Sequence, residues 1–130
     1  MCLSTIQKVH KRPLETEGWG WKVFAVSRNN TPSFQYYAEK QGFIIDKWLS
    51  AKKCEVSHHN TRYLTGFHIF KTKNGAESWR ACRTNLVCIK VKYKQLRIIG
   101  FQGRRKCLVA DKLFIPSERQ YSDGELALKA

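Results

Sequence analysis

The chain has 130 residues and a mass of 15.2 kDa, the size of one domain with a single core, and its 42% hydrophobic and 12% aromatic content excludes an intrinsically disordered polymer. Twenty-four Lys and Arg against ten Asp and Glu give a formal charge of +14, a surface that attracts polyanions. No apolar run approaches the roughly 20 residues of a membrane helix, and Lys8, Lys11 and Arg12 have no apolar stretch behind them, so no signal peptide, no membrane partner and a cytoplasmic location are expected.

In chain order, residues 1–18 mix charges without clear periodicity and are read as an N-terminal arm or loosely docked first element. Residues 21–26, behind Trp19 and its flanking glycines Gly18 and Gly20, have the composition of a strand, closed by a turn over 28–32. A short helix is expected over 33–41, a strand over 43–49, a polar loop over 50–61 and a strand over 63–71. Asn74 followed by Glu77 resembles a capping box and starts a helix through about Arg83, with Ala76, Trp79 and Cys82 inward; Asn85 ends it. Three runs of β-formers, 86–93, 96–102 and 107–115, then make a meander, and residues 116–130 form a flexible C-terminal tail. The expected fold is a single small α+β domain over 19–115, mainly an antiparallel sheet with one or two short helices on one face.

The charge is concentrated: residues 71–112 hold twelve basic residues against Glu77 and Asp111, a net +10. Within this stretch Lys90, Lys92 and Lys94 alternate with Ile89, Val91 and Tyr93, so a strand of period two puts the three lysines on one face and the apolar residues in the core. Lysines two strand residues apart stand about 7 Å from one another, close to the phosphate spacing of a nucleic-acid strand. Arg97, Arg104, Arg105 and Lys106 extend the candidate phosphate-binding set. The competing reading is a solvated strand face on which lysine protects an edge from aggregation.

The chain is rich in large rings, most of which belong in a core. Trp19, Tyr36 and Tyr37, flanked by glycine or polar residues, are the candidates for stacking on bases. Tyr63 and His68 in the run YLTGFHIF are a candidate pocket pair, since a histidine beside aromatics can act as a base or hydrogen-bond a ligand. Only Glu55, Glu77 and Asp111 lie around them, too few carboxylates for a two-carboxylate hydrolase or a metal-dependent nuclease.

Five cysteines, an odd number with no CxxC pair, argue for reduced thiols; Cys82, Cys88 and Cys107 lie among apolar neighbours and read as small buried hydrophobes. Cys54, His58, His59, His68 and Cys82 lack the paired short spacings of a zinc site. No metal, no cofactor and no catalytic residue is assigned.

The runs WGWKVF, KWLSA and YLTGFHIF, the helix with Ala76, Glu77 and Trp79, and the closing VADKLFI together resemble small uncharacterised phage and bacterial proteins with a YxxGFH-type strand, over roughly residues 19–115. The resemblance implies a compact α+β or β-rich domain of mobile-element origin, and small phage proteins often act on host machinery or defence. The expected function is non-enzymatic binding of nucleic acid, favouring RNA or a protein–RNA complex. Two alternatives stand beside it. One is a phage-encoded inhibitor that binds a host defence protein such as an RNA-guided nuclease, in the host cytoplasm; the other is a nucleotide-binding, sequestering or modifying protein built on the Tyr63 and His68 pocket.

Overall fold

A computed structural model describes residues 3–26, 32–34, 43–52, 55–58, 61–81 and 85–117. These form a mostly antiparallel β structure with one short helix: β1 (Thr5–Leu14), β2 (Gly18–Val26), β3 (Pro32–Ser33), β4 (Trp48–Ser50), β5 (Glu55–His58), β6 (Thr61–Leu64), β7 (Phe67–Phe70), α1 (Lys73–Arg80), β8 (Leu86–Gln102) and β9 (Arg105–Phe114).

β8 is the spine. β2 pairs with its first half and β1 with its second half, while β9 folds back along it from Gln102 to Lys92. β7 pairs with β9 and, through Trp21 and Phe70, with β2, so β2, β8, β9 and β7 close into a ring. Closure needs a close approach, which Gly20 permits: a Cβ there would sit 2.4 Å from Ile69 Cγ2 and 3.0 Å from the Phe70 carbonyl.

The ring encloses the main core. Phe24, Phe67, Ile69, Val87, Ile89, Val91, Tyr93, Leu108, Ala110 and Leu113 point inward. Lys22 is fully buried beside them, its Nζ donating to the His68 carbonyl at 2.9 Å and standing about 6 Å from the rings of Phe24, Phe34 and Phe67. A second cluster lies under β1 and β6, formed by Leu3, Tyr63, Ile98, Cys107 and Val109. α1 covers the third, laying Ala76 and Trp79 on Val23, Phe70 and Cys88. Thr72 caps this helix, its Oγ1 accepting from the Gly75 N–H at 3.0 Å, so the helix begins at Lys73 and not at Asn74. On its last turn Arg80 donates to Glu77, a hydrogen bond that pushes the guanidinium pKa further up.

Several sequence expectations change. The segment read as an arm is β1, held to β8 although its side chains show no clean alternation, because a strand at the rim buries few of them. Ser33, expected to begin a helix, pairs with Ala25 in β3; the rest of that helix lies outside the described residues. Of the expected 43–49 strand only Trp48 and Leu49 are extended, at the start of β4, since Asp46 adopts a positive φ of 56° just before it and accepts from the Ser117 N–H. The loop at 50–61 contains half of the β5–β6 hairpin, fastened by an Arg62–Glu55 ion pair. The strand at 63–71 is broken at Thr65 and Gly66 into β6 and β7. The breaks expected between 93 and 96 and between 102 and 107 have different outcomes: the second is a tight turn, whereas at the first β8 continues through a kink where Gln95 has φ 57°. Residues 118–130 and Cys82 lie outside the described residues.

The kink changes which side chains face the core. Inward residues on β8 run 87, 89, 91, 93 and then 96 and 99; on β9 they run 108, 110 and then 113 and 115. Both strands change parity where Lys94 faces Lys112.

Candidate nucleic-acid interface

Ahead of the kink, β8 alternates as period two dictates. Ile89, Val91 and Tyr93 are buried in the ring, and Lys90, Lys92 and Lys94 leave it on the opposite face. Residues paired directly across antiparallel strands project to the same side, so the register identifies what stands around them. Lys92 is paired with Trp19 of β2 on one side and with Phe114 of β9 on the other; Phe114 is paired in turn with Trp48 of β4. One row therefore reads Trp19, Lys92, Phe114, Trp48 across four strands. Lys90 and Trp21 form the neighbouring pair, and Lys94, Lys112 and Ser50 form the row on the other side.

Lys90, Lys92 and Lys94 each stand against a ring. The Nζ atoms of Lys90 and Lys92 are both 5.4 Å from the Trp19 centroid, Lys94 Nζ is 4.3 Å from that of Trp48, and Lys92 Nζ is also 5.9 Å from Phe114. Lys73, the first residue of α1, brings its Nζ to 5.6 Å from Trp21. Trp48 and Phe114 pack on each other at 5.4 Å between centroids. Lys112 donates to Ser50 Oγ, and Glu17 approaches Lys92 at 3.6 Å. Trp19 is 45% exposed, an unusual position for so large a ring. The face thus gathers five ammonium groups among four aromatic rings.

The other candidates divide. Arg97 is not on this surface. It is buried, and its Nε and Nη2 donate to Asp111 Oδ1 at 3.0 and 2.9 Å while Nη2 and Nη1 donate to the carbonyls of Thr65 and Leu64. It fastens the break between β6 and β7 to β8, a structural duty that takes it out of the phosphate-binding set. Tyr63 and His68 are also buried, sharing a 2.7 Å hydrogen bond between the Tyr63 hydroxyl and His68 Nε2, and the same hydroxyl accepts from the Leu3 N–H at 2.9 Å. Both side chains are committed to the interior. Gly103, at φ 65°, and Arg104 form the β8–β9 turn, and Arg105 and Lys106 are the first residues of β9 beside it. Nine residues separate this turn from Lys94 along β8, so it is not contiguous with the lysines through the strand. It lies against α1 instead: Arg105 Nε donates to Ser78 Oγ at 3.0 Å, and Lys73 at the head of that helix reaches Trp21. Arg104 and Lys106 are exposed. Tyr36 and Tyr37 lie outside the described residues.

Sequence reasoning missed Trp48, Phe114, Lys112 and Lys73. Trp48 and Phe114 had the composition of core residues, and only the register places them beside Lys92. Among the described residues no helix is long and apolar enough to cross a membrane, and no group of three or more His, Cys, Asp or Glu side chains is placed to hold a metal ion. Comparison with protein-family models, curated proteins and solved structures returns no match.

Proposed function

We propose that this chain is a non-enzymatic nucleic-acid-binding protein whose ligand lies on the Lys90, Lys92 and Lys94 face of β8. The observation that carries the reading is the position of these lysines. A lysine row on an exposed edge strand has a sufficient explanation in blocking edge-to-edge pairing, but Lys92 has β2 on one side and β9 on the other. Protection of an edge does not account for it. Lysine is disfavoured within strands, and like charges at neighbouring positions repel, so three in alternation, joined by Lys112 across the sheet, favour a surface whose charge is matched by a bound polyanion. RNA, alone or within a protein–RNA complex, is the favoured form.

The test is the salt dependence of oligonucleotide binding. Each phosphate neutralised on a single strand contributes about 0.7 to the slope of log K against log salt, so glutamine at Lys90, Lys92 and Lys94 together is expected to lower the slope by about 2. All three side chains are part-exposed and outside the core, so the thermal transition should be preserved. An unchanged slope in a folded variant refutes the assignment of this face.

A further inference from the structure

Resting on that reading, we infer that the ligand is single-stranded and that an unpaired base stacks on Trp19 as Lys90 and Lys92 pass from the ring to the flanking phosphates. Trp19 is 45% exposed on a strand whose inward residues, Lys22 and Phe24 among them, are buried. Two ammonium groups, each 5.4 Å from the ring centroid, stand beside it on residues two apart along β8. The strand repeat of about 6.4 to 6.8 Å between these residues is close to the spacing of successive phosphates; Lys92 is directly across from Trp19 and Lys90 is one row along, opposite Trp21, so a base on the ring has one phosphate abreast of it and the next one row along.

The two ligands of the ring are unequal. An ammonium–ring contact at a solvated site is weak, whereas a base stacked on an aromatic side chain contributes substantially to single-strand binding. A phosphate competes for the same ammonium groups with full charge. Taking Lys90 and Lys92 off the indole therefore exchanges weak ring contacts, and for Lys92 also a solvent-screened ion pair with Glu17, for phosphate contacts, and it exposes a flat ring to a base. Only a strand with unpaired bases completes the exchange, because a duplex must first unstack and unpair a nucleotide. Trp48 and Phe114, already packed on each other beside Lys94 and Lys92, offer a second aromatic surface on the opposite side of β8 from Trp19.

The experiment compares three probes of equal length, a mixed-sequence single strand, its duplex, and an abasic strand with the same phosphates, against the full chain and its Trp19→Ala and Trp19→Phe variants. The full chain is expected to bind the intact single strand roughly 5- to 150-fold more tightly than the abasic strand, the range that stacking of one base supplies. Trp19→Ala should remove that preference while leaving abasic binding and its salt slope in place, and Trp19→Phe should restore part of it. Equal binding of intact and abasic strands by the unaltered chain overturns the stacking inference and leaves the polyanion reading standing. Equal losses on all three probes in folded Trp19→Ala also overturn it. Binding of none of the probes overturns both and points to a protein partner for the lysine face.

Discussion

Replacing Arg97 by methionine separates two roles that a basic residue in this stretch could have. In the structure the guanidinium is buried with Asp111, donates twice to its Oδ1, and satisfies the carbonyls of Leu64 and Thr65. Methionine has a similar length and no donors, so the variant keeps the volume and leaves a buried carboxylate without its guanidinium. Breaking a buried pair from one side typically destabilises by about 3 to 5 kcal/mol, a large part of the roughly 5 to 15 kcal/mol that holds a domain together. At about 4 °C per kcal/mol for a chain of this size, the thermal midpoint should fall by roughly 12 to 20 °C. Thermal unfolding followed by circular dichroism reads this directly, and the double variant Arg97→Met with Asp111→Leu should recover much of the loss, because it removes the charge left behind. The salt slope of oligonucleotide binding, measured below the transition, should not move. A midpoint within about 3 °C of the parent together with a slope reduced by about 0.7 would refute the structural assignment and return Arg97 to the ligand.

Two further expectations rest on the same geometry. Gly100→Ala should destabilise by about 1 to 3 kcal/mol in chemical denaturation, since the added Cβ would lie 2.4 Å from the Thr5 carbonyl and force β1 away from β8; a midpoint equal to the parent's would show that β1 is not seated there. Alanine at Arg104, Arg105 and Lys106 together should flatten the salt dependence by up to about 0.7 for each cation lost, and an unchanged slope takes the β8–β9 turn out of the interface.

What the sequence could disclose was whatever depended on neighbours two to four residues away. The alternation of Ile89, Val91 and Tyr93 with three lysines is such a signal, and so is the inward pair Ala76 and Trp79 on α1. β1 was hidden because Thr5–Leu14 buries little and slips register twice along β8, so its strand character comes from the partner and not from its own pattern. Residue type alone groups Arg97 with the phosphate binders. One local signal did stand against that grouping: Asp111 is a carboxylate inside the apolar run from Cys107 to Ile115, and a charge in such a run needs a partner. Its partner is 14 residues away, a separation at which composition says nothing about geometry.

The aromatic half of the interface was hidden for a different reason. Carried forward at period two from the inward Leu108 and Ala110, β9 would bury Lys112 and Phe114, placing a lysine in the core and removing a ring from the surface. Both strands change parity together around Gln95, whose φ is positive, while their register from Lys92–Phe114 to Leu96–Ala110 is unbroken, so Leu113 and Ile115 enter the core and Lys112 and Phe114 emerge opposite Lys94 and Lys92. The same kink that accommodates the Arg97–Asp111 pair behind it therefore assembles the face in front of it. Fold stability and the candidate interface meet at one backbone irregularity, which is why a substitution that straightened β8 at Gln95 would be felt in both.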